Sequence, residues 1–174
     1  MRRRDRRPVL LLATIAALAL IGLLIEMSGT VGTGQPQLAD KMSDGESREV
    51  HETFQQAVAM LHAKHYEFAV QSLHEVLAIR PRMPEAHVNM GFALFGLGNY
   101  SAARDFFAGA AAIRPAQYNA YYGLAVANEA LGELAAAAAA MKTFVHLAPA
   151  DDPFRRKAES AVWEWESALE GQKP

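Results

Sequence analysis

With 174 residues, 51% hydrophobic and 21% charged, the chain is long enough for about one ordinary domain and too apolar to stay disordered throughout. It has no cysteine, which excludes disulfide frameworks, thiolate metal sites and cysteine nucleophiles. The formal net charge of -2 hides an asymmetry: Arg2, Arg3, Arg4, Arg6 and Arg7 precede the first apolar run, so residues 28–174 are net acidic and a poor match for nucleic acid.

Residues 1–8 read as a basic cytoplasmic tail. From Val9 to Ile25 no residue is charged, most are Leu, Ile, Val or Ala, and Glu26 closes the run. As a helix this run covers about 26 Å, close to the ~30 Å hydrocarbon core, so residues 9–27 are expected to form a transmembrane signal-anchor helix. The preceding arginines should stay cytoplasmic and send the rest of the chain across the membrane. A cleaved signal peptide is the competing reading, but the run exceeds the usual apolar length and only Thr30-Val31-Gly32 approximates a cleavage site. Arg6-Arg7 resembles a twin-arginine signal, which the strong hydrophobicity of the run opposes. Residues 28–46, with Gly29, Gly32, Gly34 and Pro36, have the composition of a flexible linker.

A period of 34 organises residues 47–151. Ile79-Arg80-Pro81, Ile113-Arg114-Pro115 and Leu147-Ala148-Pro149 recur at that step, dividing the segment into units 50–83, 84–117 and 118–151. In the same register Ala57, Gly91 and Ala125 coincide, as do Ala69, Ala103 and Ala137, and Tyr66, Tyr100 and Leu134. Each unit therefore reads as two helices brought close by small residues. The turn between them is marked by Gly98-Asn99 and Gly132-Glu133, and by Lys64-His65 in the first unit. The closing proline stops the second helix.

On these residues the chain resembles the tetratricopeptide repeat family, whose period is the same. The second unit fits best, through Met90-Gly91, Gly98-Asn99-Tyr100, Ala103, Phe107, Ala110 and Pro115. Thr53 and Gln56 depart from the family's apolar pattern in the first, and Leu134 and the Ala135–Ala140 run depart in the third. The resemblance implies an all-α solenoid of three helix-turn-helix repeats.

Residues 152–170 are expected to add a capping helix, with Asp151 or Asp152 as cap and Pro153 in the first turn. Phe154, Ala158, Ala161, Val162, Trp165, Ala168 and Leu169 would form its apolar face.

In the family, the first helices of successive repeats line a groove for peptide or helical partners. Carried onto this sequence, the groove rows are Phe54, Val88 and Tyr122; Val58, Phe92 and Val126; and Leu61, Phe95 and Glu129, with His51, Glu85, Asn89 and Asn119 at the edge. The competing readings are that these side chains pack against neighbouring helices or are covered by residues 40–49. The groove positions lack the lysines and arginines with which chaperone-binding members hold terminal carboxylates. Trp163 falls opposite the capping helix's apolar face and is a possible second contact.

His51, His62 and His65 invite a metal reading that their spacing does not support. Nothing resembles a phosphate loop, a nucleophile elbow or an HExxH helix, so no enzyme activity, cofactor, metal or small-molecule substrate is expected. The apolar run and the arginines before it, taken with the resemblance, point instead to a single-pass protein of the bacterial inner membrane with a periplasmic repeat domain. It would bind protein or peptide partners during assembly of an envelope or membrane complex, similar to the repeat subunits that hold apoprotein in cytochrome c maturation. The alternative is a permanent structural subunit of a membrane enzyme complex.

Overall fold

The computed structural model describes residues 35–171, with side-chain surroundings from Gly45 onward. The chain divides into two units, Met1–Glu46 and Ser47–Pro174. The expected membrane segment, residues 9–27, and the basic tail lie outside the described residues. Among the described residues, no helix is long and apolar enough to cross a membrane.

Seven helices follow one another in the described residues: α1 (Gln35–His62), α2 (Tyr66–Ile79), α3 (Pro84–Gly96), α4 (Tyr100–Ile113), α5 (Tyr118–Ala130), α6 (Leu134–Leu147) and α7 (Arg155–Glu170). α1 begins inside the stretch expected as linker. Pro36 falls in its first turn, where a missing amide costs nothing, and the residues that follow are mostly helix formers interrupted by Gly45. The helix also passes through Thr53 and Gln56 without a break.

The 34-residue period becomes three hairpins, α1–α2, α3–α4 and α5–α6, closed by the same hydrogen bonds. His65 N–H donates to Met60 O at 2.9 Å, Asn99 N–H to Leu94 O at 2.9 Å and Glu133 N–H to Asn128 O at 2.8 Å, each reaching five residues back. This closure requires a left-handed residue just past the helix. Gly98 and Gly132 supply it at φ 78° and 79°, whereas Lys64 is held at φ 62°. Because a side chain in that region crowds its own backbone, Lys64→Gly is expected to stabilise the domain by about 0.5–1 kcal/mol, read as a higher urea midpoint. An unchanged midpoint would show that the strain is relieved elsewhere.

The second helices stop at Ile79, Ile113 and Leu147, two residues before Pro81, Pro115 and Pro149. The residue ahead of each proline leaves the helical region, with ψ at 69°, 96° and 144° for Arg80, Arg114 and Ala148, as proline sterics demand.

Close packing follows from the small residues. Ala57, Ala125, Ala69, Ala103 and Ala137 are fully buried, and Gly91 is buried with them. Phe107, also fully buried, joins the second hairpin to the third: a Cβ on Gly91 would lie 2.6 Å, and one on Gly123 2.2 Å, from its ring. Phe92 meets the same ring edge-on, with centroids 4.8 Å apart. Between the first and second hairpins the core is Val50, Ala57, Leu73, Val76, Ala86 and Met90, with Leu94 and Phe106 packed against it.

The two ends of the stack are finished differently. On the outer face of the first hairpin, Gln56 and Ser72 stand in register with Met90 and Phe106, so the positions that bury apolar side chains in the second hairpin are polar here. At the other end α7 packs on α6 through Ala158, Ala161, Val162 and Trp165. Trp165 donates from Nε1 to Glu129 Oε1 at 3.2 Å. α7 starts three residues later than expected. Asp152 caps the preceding turn, accepting from Phe154 N–H at 2.9 Å, and Phe154 itself is the helix cap, outside the apolar face assigned to it.

Candidate functional site

The first helices of the hairpins contribute to one cavity of about 570 Å³. α1 supplies Leu61 and His62, and the turn after it Lys64. α3 supplies Asn89, Phe92, Phe95 and Gly96, and α5 supplies Asn119 and Tyr122. Tyr66 of α2, Phe144 of α6 and Phe154 ahead of α7 complete the wall.

Local packing positions these groups. Tyr66, first residue of α2, lies so close to Gly96 that a Cβ there would sit 2.5 Å from its ring. Phe95 leans on Tyr100 at 5.0 Å between centroids. Tyr122 lies between two rings, Phe144 at 5.2 Å and Phe154 at 5.5 Å. Asn89 donates from Nδ2 to Glu85 O at 3.0 Å, which fixes its amide along α3 and leaves the side-chain oxygen as an acceptor. Asn119 is exposed.

Six residues picked from the sequence, Leu61, Asn89, Phe92, Phe95, Asn119 and Tyr122, therefore line one cavity. Four do not. Val88 is 5% exposed, in a core with Ala103, Phe107, Ala110, Ala120 and Ala127. Phe54 packs into the core between the first two hairpins. Val126 turns towards Trp165 and Glu129, lining a smaller cleft of about 220 Å³ under α7. Val58 is half-buried and outside the cavity wall.

At the edge, Glu85 is engaged by Arg114 and His51 lies in a different cleft. Glu129 is the acceptor for Trp165, and Glu133 pairs with Arg104 at 3.1 Å, so both carboxylates serve the scaffold. Trp163 is 71% exposed on α7. The wall residues that sequence reasoning did not place there are His62, Lys64, Tyr66, Gly96, Phe144 and Phe154; of these, Lys64 and Tyr66 carried a periodic signal.

The cavity wall is aromatic and nearly uncharged. Lys64 is its one formal charge among the described residues, and no carboxylate lines it. A larger cleft of about 640 Å³ between α1 and the α2–α3 turn holds Arg80, Arg82 and Arg114. Arg80 donates there to Ser47 at 2.9 Å, and Arg114 is bonded to Glu85 and to Gln117, so two of these three guanidinium groups already have partners in the fold. His51, His62 and His65 are exposed, and no cluster of metal-ligating side chains occurs among the described residues.

Residues 60–110 match the tetratricopeptide repeat model. Among curated proteins no sequence matches the chain. Solved structures superpose well at low identity. The first such domain of Spaghetti (RPAP3), bound to an HSP90 peptide, superposes with TM-score 0.65 at 20% identity, covering 71% of this chain and 94% of that one. The Yersinia enterocolitica type III secretion translocator chaperone SycD gives 0.67 at 16%, covering 71% and 88%. PcrH, in complex with the chaperone binding region of PopD, gives 0.67 at 14%, covering 71% and 95%. The described fold is therefore an all-α solenoid of the tetratricopeptide-repeat kind.

Proposed function

We propose that this protein is a membrane-tethered scaffold that holds a segment of a partner protein in the groove between α1, α3 and α5. It acts by binding rather than by catalysis and uses no cofactor. The carrying observation is the cavity of about 570 Å³, walled by six aromatic rings with two asparagine amides and without a carboxylate among the described residues. Apolar side chains of a bound segment would be desolvated against the rings, at about 1–2 kcal/mol or more for each good anchor, while Asn89 and Asn119 meet its backbone. A clamp for terminal carboxylates is not part of this reading, because Lys64 is the sole lysine or arginine in the wall among the described residues. Residues 9–27 would anchor the chain in a bacterial inner membrane and place the repeats in the periplasm. Confinement there raises the effective concentration of partners during assembly of an envelope or membrane complex, in the manner of apoprotein holding in cytochrome c maturation.

The test is photocrosslinking from a reactive residue at exposed Asn119, with and without Phe92→Glu. Capture should fall by about 10-fold or more in the variant. Phe92 touches Phe107, so thermal midpoints are compared, and Phe95→Ser serves as a second variant. Capture unchanged in both would remove the groove from the mechanism. A captured chain that copurifies in equal amount through detergent and salt would mark a permanent subunit; a trace client would mark an assembly factor. A reporter fused after residue 30 that reads as cytoplasmic would overturn the topology.

A further inference from the structure

α7 carries two tryptophans on opposite sides. Trp165 is buried and bonded to Glu129, whereas Trp163 is 71% exposed on a helix that already has its packing indole. The charges of α7 are also ordered against its own dipole. Arg155, Arg156 and Lys157 open the helix and Glu164, Glu166 and Glu170 close it, with no acidic residue in the first turn and no basic one in the last. The positive end of the backbone dipole therefore meets cations and the negative end meets carboxylates, a placement that weakens a helix standing alone. The fold takes up two of these groups: Arg155 bonds Ala148 O and Glu159, and Glu166 pairs with Lys142. Arg156 and Glu170 are exposed and have no ion pair among the described residues. Arg156, Trp163 and Glu170 follow one another at seven-residue steps, so they share one line along the helix to within about 20° per step, each charge about 10 Å from the indole. Ser160 and Ser167, both exposed, keep that line low on either side of the ring.

We infer that this face pairs with the same face of a second copy of the chain, the two α7 helices running antiparallel about a two-fold axis at Trp163. Turning one helix end for end about residue 163 brings each Arg156 opposite the other copy's Glu170 and sets the two indoles together at the centre, where they stack. A parallel pair would place Arg156 on Arg156 and Glu170 on Glu170, so charge fixes the direction. The order of charges that weakens α7 alone is complementary in the pair. The contact is one helix on each side, at the small end of specific interfaces, and the dimer it makes is reversible. Arg156, Trp163 and Glu170 lie outside the groove wall, so the pairing stands apart from partner binding there.

The experiment measures energy transfer between full-length chains in an excess of detergent micelles. Donor and acceptor dyes are carried on Asp151→Cys, an exposed position ahead of α7 in a chain with no native cysteine. Transfer should rise with chain concentration. Trp163→Ala should weaken association about 10-fold or more. Arg156→Glu and Glu170→Arg should each weaken it about 3–10-fold, although α7 melts no earlier, because both changes agree with the helix dipole. Mixing these two variants should restore association, since one chain then presents two acidic groups along the line and the other two basic ones. A wild-type chain that shows no transfer at any concentration would overturn the pairing, as would a mixture that associates no better than either variant alone. Transfer that survives Trp163→Ala would overturn it too, and would assign association to another part of the chain, residues 9–27 included.

Discussion

Phe107→Ala is expected to cost the domain about 3–5 kcal/mol, seen as a lowered urea midpoint at nearly unchanged slope. The ring is wholly enclosed, faces Phe92 edge-on and fills the space that Gly91 and Gly123 leave on two adjacent helices. Its removal opens a cavity where two hairpins meet, and neither backbone can collapse into it without losing the other. The complementary change is Gly123→Ala. Helix propensity alone would make alanine better there by about 0.5–1 kcal/mol. The new Cβ would sit 2.2 Å from a ring with no room to move, and overpacking of that kind costs about 1–3 kcal/mol, so the net effect is destabilising. Gly123→Ala combined with Phe107→Leu should recover part of the loss. Simple addition of the two single effects would show that the glycine and the ring are not coupled.

Trp165→Ala is the second large effect, about 3–5 kcal/mol, expressed as undocking of α7 before the hairpins melt. Trp165 is 7% exposed, packs with Ala158 against the third hairpin, and spends its indole N–H on Glu129. Hydrogen exchange should show α7 amides losing protection first, with those of α3 and α4 retained. Glu129→Ala, which leaves the indole donor facing a less polar edge, should cost about 1 kcal/mol. Equal loss of protection in all hairpins would mean that the end helix is part of one cooperative unit.

The turns were legible in the sequence because they rest on residues with few options. Pro81, Pro115 and Pro149 stop helices by sterics alone, and Gly98 and Gly132 are suited to positive φ. Lys64 takes the same conformation, and only the 34-residue register reveals it. Of the residues carried over by register, Phe92 and Tyr122, both half-buried, line the cavity. Val88 does not, although it shares the register position of Tyr122: it packs in a core with Phe107 and Ala120, so equal register does not mean equal surroundings. Phe154 falls on the expected apolar face of the capping helix only if the helix already includes it, and here it is the cap. The turn held by Asp152 delays the helix to Arg155 and swings the ring elsewhere. Phe144 carried no distinguishing sign, since it is 2% exposed and serves the core as Val76 and Ala110 do at the matching positions.

The near-neutral wall of the groove also bears on how quickly it fills. Docking there would gain little from long-range attraction, so association should run near the unsteered ~10⁵–10⁶ M⁻¹s⁻¹ and change little between dilute and concentrated salt. Selectivity among competing chains would then reside in residence time, set by how well rings and side chain fit once they have met.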